Sequence, residues 1–454
     1  MAGIASDTVN ALLERETVRF AQSHPRSREL HERAQRSLVG GVPMQWMVEW
    51  AGAFPVFVKE ARGVRLTDVD GNAYLDFCLG DTGAMFGHAP EPVAAAVAEQ
   101  ARRGFTFMLP TEDSIFVAEE LARRFGLPFW QLAMTATDAN RFVLRLAREI
   151  TGRPKILVFE GCYHGTVDET IATLRDGVVM SRAGNVGPQV DPVETTRVVE
   201  FNDLDALDDA LAEGDVACVL AEPAMTNHSG IVLPDPDYHT GLRELTRQHG
   251  VLLIIDETHT ISSGPGGYTA AHGLEPDMLT IGKPLAGGVP VAVYGLSRQV
   301  AERVRQRTAL PGCAVAGIGG TLTANALALR AMRVNLEAVM TRENFARMIP
   351  LAERLAEGLR QMIDGCGLPW YVTQIGARVE YRFQPRPPRN GTEALQGVDR
   401  GLDRLIHLYF LNRGILVTPF HNMLLISPET TADDVDRHNA VFGSCAGELI
   451  GRAA

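Results

Sequence analysis

Lysine is nearly absent from this sequence. Lys59, Lys155 and Lys283 are the only three among 43 basic residues, so an amine at any one position stands out. The six cysteines (Cys78, Cys162, Cys218, Cys313, Cys366 and Cys445) are scattered, with no C-x-x-C pair and no clustered Cys/His spacing. That excludes a disulfide framework and a structural zinc site, and no metal is expected. A reduced, cytoplasmic setting is expected instead. No run reaches the roughly 18 unbroken apolar residues of a membrane span. The first twenty residues carry Asp7, Glu14, Arg15, Glu16 and Arg19, so they do not form the apolar core of a signal peptide. The net charge of −12 gives no broad attraction to nucleic acid or anionic lipid, and neither is expected as a partner.

What is present is alternation. The first forty residues read as amphipathic helix up to Gly40-Gly41, and Asp70-Gly71 marks a hairpin turn between Leu66 and Tyr74. Short apolar runs then recur at 156–159, 216–220, 251–255 and 278–281, with helical stretches between them. Runs without polar alternation are how strands buried on both faces of a parallel sheet read. The fold expected is α/β, a large domain with a mostly parallel sheet flanked by helices plus a smaller α+β domain. The expected divisions are residues 1–70, an N-terminal segment packing with the small domain; 71–325, the large domain; and 326–454, the small domain.

Ligands of open α/β sheets bind at the carboxyl ends of the strands. Each run here is followed by chemistry: Tyr163-His164 after the first, Glu222 after the second, Asp256 after the third and Lys283 after the fourth. A lysine between an apolar strand and a Gly/Pro-rich loop suits a Schiff base with a carbonyl compound. A carboxylate ending the most apolar strand needs a cationic partner, because a buried unpaired charge is costly. A protonated pyridine ring is one such partner, and a structural ion pair is another. Glu222 has a similar but weaker claim. Thr135-Ala136-Thr137 and Gly319-Gly320-Thr321 each precede a helix, where backbone N–H groups receive phosphate.

These residues, in this order, resemble the class III aminotransferases of pyridoxal 5′-phosphate (PLP) fold type I, in the branch of glutamate-1-semialdehyde aminomutase and the β-amino-acid and ω-transaminases. The matching stretches are DVDGNAYLDF (68–77), TGRPKILVFEGCYHG (151–165), AEPAMTN (221–227), LLIIDET (252–258), PDMLTIGKPLAGGVP (276–290) and GGTLTANALAL (319–329). The resemblance implies that Lys283 holds PLP as a Schiff base and shuttles a proton. It implies that Asp256 pairs with the pyridine nitrogen, that Tyr163 stacks on the ring with His164 in support, and that Thr258 lies beneath it. Asn227 would lie near the ring, and Thr135, Ala136 and Thr137 would cradle the phosphate. Thr321 would reach the phosphate of a second copy, so a homodimer with shared active sites is implied.

The sequence also departs from the family. The phosphate loop reads MTATDA (134–139) where relatives have NSGTEA. Gly40-Gly41-Val42 is followed by PMQWM, without the arginine that grips the aminomutase substrate, and Pro419 is followed by Phe420-His421-Asn422 rather than a nearby arginine. A substrate pocket lined by Trp46, Met47, Asp81, Met85 and Phe420, favouring an apolar or amine-type substrate, is therefore expected. Arg378 and Arg382 are possible replacement anchors, although a solvated surface role is the first expectation for both. The first functional expectation is an aminotransferase moving an amino group between an amine or a β- or ω-amino acid and a keto acid. The alternative is an aminomutase or racemase on the same scaffold, and a non-catalytic scaffold of the same fold is the third.

Overall fold

The computed structural model describes residues 3–187, 190–227, 230–308, 317–419 and 421–452. By contact density the chain forms two compact units, one of residues 1–90, 343–387 and 396–454 and the other of residues 91–342 and 388–395.

The second unit is built on a seven-stranded sheet. Its strands are β1 (Phe129–Ala133), β2 (Lys155–Phe159), β3 (Thr196–Val199), β4 (Val216–Ala221), β5 (Leu252–Asp256), β6 (Met278–Ile281) and β7 (Ala292–Leu296). They lie in the order β1-β7-β6-β5-β4-β2-β3. The pairs from β6 through β5, β4 and β2 to β3 are parallel, and β7 runs antiparallel to both its neighbours. The apolar runs expected as strands are β2, β4, β5 and β6, each buried on both faces except at Lys155. Strands β1, β3 and β7 are not among them. Gln131, Arg197 and Tyr294 interrupt their apolar pattern, and two of the three lie at the sheet's edges.

The helix Ala136–Thr151 follows β1. Thr135 caps its start by accepting from Asp138 N–H, and Gly152 ends it in the left-handed conformation. Its apolar face (Phe142, Val143, Leu146, Ala147, Ile150) packs into the cluster formed by Ile156, Val158, Leu220 and Ile254. Burying side chains of this size contributes about 1.5–3 kcal/mol each.

In the first unit, the strands 65–68 and 73–76 form the hairpin expected around Asp70-Gly71. Asp68 Oδ1 accepts the N–H groups of Asp70 and Asn72, and Gly71 takes φ +90°. The N-terminal helix does not run to residue 40. It splits into Ser6–Ser23 and Pro25–Ala34. Pro25 has no N–H to donate and keeps His24 out of the helical region, so one helix ends and another begins.

The unit boundaries fall at 90/91 and 342/343, whereas the sequence reading placed them at 70/71 and 325/326. Strand 73–76 pairs with Ile415–Leu416, which draws it into the first unit. The helix Ala326–Ala338 packs against helices Glu91–Ala101 and Glu112–Phe125, and Asn335 Nδ2 donates to the carbonyls of Pro284 and Leu285. Residues 388–395 return to the sheet unit, where a Cβ on Gly391 would lie 2.0 Å from the Glu160 carbonyl.

No helix among the described residues is long and apolar enough to cross a membrane. The described cysteines are unbridged and no group of three metal-ligating side chains occurs among the described residues; Cys313 lies outside them.

Candidate active site

The carboxyl ends of β2, β4, β5 and β6 bring the expected residues into one unit. Asp256 is buried at the end of β5 and held by three donors. Asn140 Nδ2 (2.8 Å) and His164 Nδ1 (2.9 Å) donate to its Oδ2, and Thr258 N–H (3.0 Å) donates to its Oδ1. Asn140 is itself fixed, donating also to the His164 carbonyl and accepting from Thr280 Oγ1 at 2.7 Å.

This network decides the charges. Burial pushes the Asp256 carboxyl up, but His164, Thr258 and Asn140 lower it further, to about 2. Burial disfavours the His164 imidazolium, yet neighbouring Cys162 and Asp256 favour it more, and its pKa rises to about 10. The stability consequences have opposite signs. The Asp256 contribution is complete above the ordinary 3.8 and is lost as pH falls through about 2. The His164 contribution is complete below the ordinary 6.5 and is lost as pH rises through about 10. Melting temperature measured against pH should therefore fall on both flanks, and Asp256→Asn should flatten both limbs.

Lys283 opens the turn after β6 with φ +53°, a left-handed conformation uncommon for a residue with a side chain. Its Nζ lies 2.6 Å from His259 Nε2. His259 Nδ1 lies 3.3 Å from Glu222 Oε2, which also accepts from Thr226 Oγ1. Gly282 N–H donates to Thr258 Oγ1 at 3.2 Å, tying the end of β6 to the end of β5.

The loop residues meet at the start of helix Ala136–Thr151. Thr166 N–H donates to Thr137 Oγ1 at 3.1 Å. A Cβ at Gly165 (φ +79°) would lie 2.2 Å from that Oγ1, and one at Gly282 would lie 2.8 Å from the Ala136 Cβ. Glycine at both positions lets three loops close on a helix N-terminus, which is the form a phosphate site takes. Gly165→Ala should push Thr137 away and weaken PLP binding by roughly ten- to a hundredfold, about 1–3 kcal/mol, readable in a cofactor titration.

The arrangement fits PLP. Asp256 Oδ1 takes one N–H among the described residues, so the ionised carboxylate has capacity for one more donor, such as a pyridinium N–H. Residues that would hold the group are Lys283 for the aldehyde carbon, Asp256 for the ring nitrogen and the turn 135–137 for the phosphate. Tyr163 is half-buried beside His164, and Thr321 is exposed in the turn before helix Ala326–Ala338. Asn227 ends a short strand, its side chain outside the described set, as is all of Phe420.

One expectation is corrected in the first unit. Of the residues expected to line a substrate pocket there, Met85 is wholly buried, Trp46 and Met47 are exposed on a short turn and Asp81 is half-buried. Arg378 and Arg382 are not solvated surface residues. Both are buried on one strand, with Arg378 Nη2 donating to Thr82 Oγ1 and Arg382 Nη1 lying 3.8 Å from Glu380 Oε1. The strand is central in a three-stranded sheet, and all five of its residues are buried, so both of its faces are covered.

Sequence reasoning missed Asn140, Thr280 and His259. Asn140 lies one turn beyond Ala136 on the same helix face, which the sequence shows, but its contact with Asp256 is made only by the fold. His259 was legible only as a titratable group three residues past the strand-terminal Asp256.

The sequence model of the family described as aminotransferase class-III matches residues 47–441. The chain is 32% identical over 440 residues to a glutamate-1-semialdehyde 2,1-aminomutase from Persephonella marina, covering 94% of this chain and 99% of that one. A crystal structure of a glutamate-1-semialdehyde-aminomutase from Pseudomonas aeruginosa PAO1 superposes with a TM-score of 0.96 at 53% identity, covering 98% of this chain and 100% of that one. A lysine-to-alanine variant of a Pseudomonas aeruginosa PAO1 glutamate-1-semialdehyde-aminomutase has been solved in complex with PMP and superposes equally well. A β-phenylalanine aminotransferase from Variovorax paradoxus gives a TM-score of 0.86 at 26% identity, covering 97% of each chain. With the buried carboxylate, the strand-end lysine and the helix N-terminus in one unit, the chain belongs to the class III aminotransferase family of PLP enzymes, fold type I.

Proposed function

We propose that this enzyme moves an amino group between neighbouring carbon atoms of a single small substrate, the aminomutase reaction, with Lys283 as covalent anchor and proton carrier. The observation that carries this reading is full-length similarity to proteins described as glutamate-1-semialdehyde aminomutases, at 32% identity to one and 53% to another. It reverses the order of the sequence expectations, which placed transfer between two molecules first.

PLP, when bound, supplies a carbonyl carbon for the amino group and a ring that accepts electrons. The chain's residues do the rest. Asp256, held ionised by His164, keeps a proton on the ring nitrogen. Lys283 Nζ gives up and takes back a proton on one face of the substrate. Thr135, Ala136, Thr137 and Thr258 hold position, Tyr163 covers the ring, and Glu222 orients His259. Thr321 would reach the phosphate in a second copy, which makes the working form a homodimer that light scattering would read as twice the 49.3 kDa chain mass.

A second reading, an aminotransferase acting on an amine or a β- or ω-amino acid and a keto acid, is favoured by one observation. Residues 43–47 read PMQWM, without an arginine to hold a substrate carboxylate. The purified enzyme should be given glutamate-1-semialdehyde alone, then a panel of amines with pyruvate or 2-oxoglutarate. Product from the single substrate supports the mutase. Turnover that requires a keto acid, with none on the semialdehyde, overturns it in favour of the transaminase.

A further inference from the structure

We propose that His259 is the proton acceptor for the Lys283 ammonium, with Glu222 fixing the imidazole behind it. This rests on the reading of Lys283 as the cofactor lysine. The three groups form a line: Lys283 Nζ to His259 Nε2 at 2.6 Å, then His259 Nδ1 to Glu222 Oε2 at 3.3 Å. Thr226 Oγ1 donates to the same carboxylate oxygen, which holds it as an acceptor facing the ring. A nucleophile in hydrogen-bond reach of a base that is itself oriented by a third group is the arrangement that activates serine and cysteine nucleophiles. Here the nucleophile is an amine.

The surroundings favour this assignment. Glu222 and His259 are both buried, at 4% and 6% exposure, so their interaction is weakly screened. Neighbouring acids are turned elsewhere. Asp256 is engaged by His164 and Asn140, and Glu257 accepts from Thr260 Oγ1 and from the backbone N–H groups of Tyr268 and Thr269. His239, across β4, is 2.7 Å from the Pro223 carbonyl. Lys283 and Glu222 face the His259 ring from its two nitrogens.

The step balances as a proton transfer. Lys283 Nζ loses a proton to His259 Nε2, the ring becomes an imidazolium carrying N–H on both nitrogens, and the Glu222 carboxylate behind Nδ1 balances the new charge. Nζ is left with a free electron pair, which an amine needs to attack a carbonyl carbon. An amine with the ordinary lysine pKa of about 10.4 must hand its proton to another group before it can attack at neutral pH.

The test uses the full chain stripped of PLP. The rate at which it captures added PLP is followed by visible absorbance across pH, for wild type, His259→Met, His259→Ala, Glu222→Gln and Lys283→Ala. His259→Met is expected to slow capture at pH 7 by about tenfold or more, as loss of a general base does. Glu222→Gln is expected to slow it by less. Imidazole added to His259→Ala is expected to restore part of the lost rate, which a packing role would not allow. A His259→Met protein whose profile matches wild type overturns the proposal. If that variant fails to fold, His259→Gln decides on the same readout, because glutamine keeps a hydrogen bond but cannot take the proton. A wild type and Lys283→Ala that behave alike would instead overturn the assignment of Lys283, and the two failures are therefore distinguishable.

Discussion

Lys283→Ala is expected to lower kcat by at least about a thousandfold while leaving a folded protein that still takes up PLP. Covalent and acid–base roles each supply factors of this order, and a single residue that carries both is lost at one stroke. The stability change should be small. Lys283 is half-buried, and the left-handed backbone it adopts is as awkward for alanine as for lysine. Retention of PLP follows from the separate cradle at 135–137 and 165, which the substitution does not touch. The measurement is single-turnover and steady-state kinetics beside a dialysis assay of bound cofactor. A small primary amine added to the variant should recover a fraction of turnover. Turnover within tenfold of wild type would remove Lys283 from the chemistry.

The second large effect is expected at Asp256. Asp256→Ala removes the acceptor shared by His164, Asn140 and the Thr258 N–H, all of them buried. His164 then loses the neighbour that helps keep it charged, and leaving one member of a buried pair costs about 3–5 kcal/mol. The melting temperature should fall accordingly, by several degrees. Asp256→Asn, which keeps the shape, should cost less stability but nearly as much activity, because a neutral amide does not hold a proton on a pyridine nitrogen. The check is a denaturant melt alongside kcat for both variants. Equal activity in Asp256→Asn and wild type would assign the carboxylate a structural role alone.

Much of this site was legible in the sequence because strand ends are legible. An apolar run of four or five residues ended by one polar group, as in LLIID or MLTIGK, identifies both a buried strand and the residue at its mouth. What was not legible came from three-dimensional adjacency. Nothing in the one-dimensional order says that Asn140, on a helix, and Thr280, on β6, meet across 140 positions to fix Asp256. The same holds for His259 and Lys283. The exposed reading of Arg378 and Arg382 failed for a related reason. Arginine is seldom fully buried, so composition predicts exposure, but both faces of this strand are covered. The edge strands β1 and β3 and the antiparallel β7 were hidden by polar interruptions that only sheet position explains. The split of the first helix, by contrast, was readable from His24-Pro25 alone.

The threading of the chain through its two compact units sets an order of events during synthesis. The sheet unit spans residues 91–342 but takes its last piece from 388–395, where Gly391 N–H donates to Glu200 and Asn202 holds the Arg389 carbonyl. The other unit begins at the N-terminus and needs residues up to the C-terminal helix Ala432–Leu449. The sheet unit waits for residues 388–395 and the other for residues 432–449. At about 5–20 residues per second, the N-terminal helices wait on the order of twenty seconds or more with their apolar faces uncovered. The chain's yield on expression should respond to growth temperature more than its final stability would suggest.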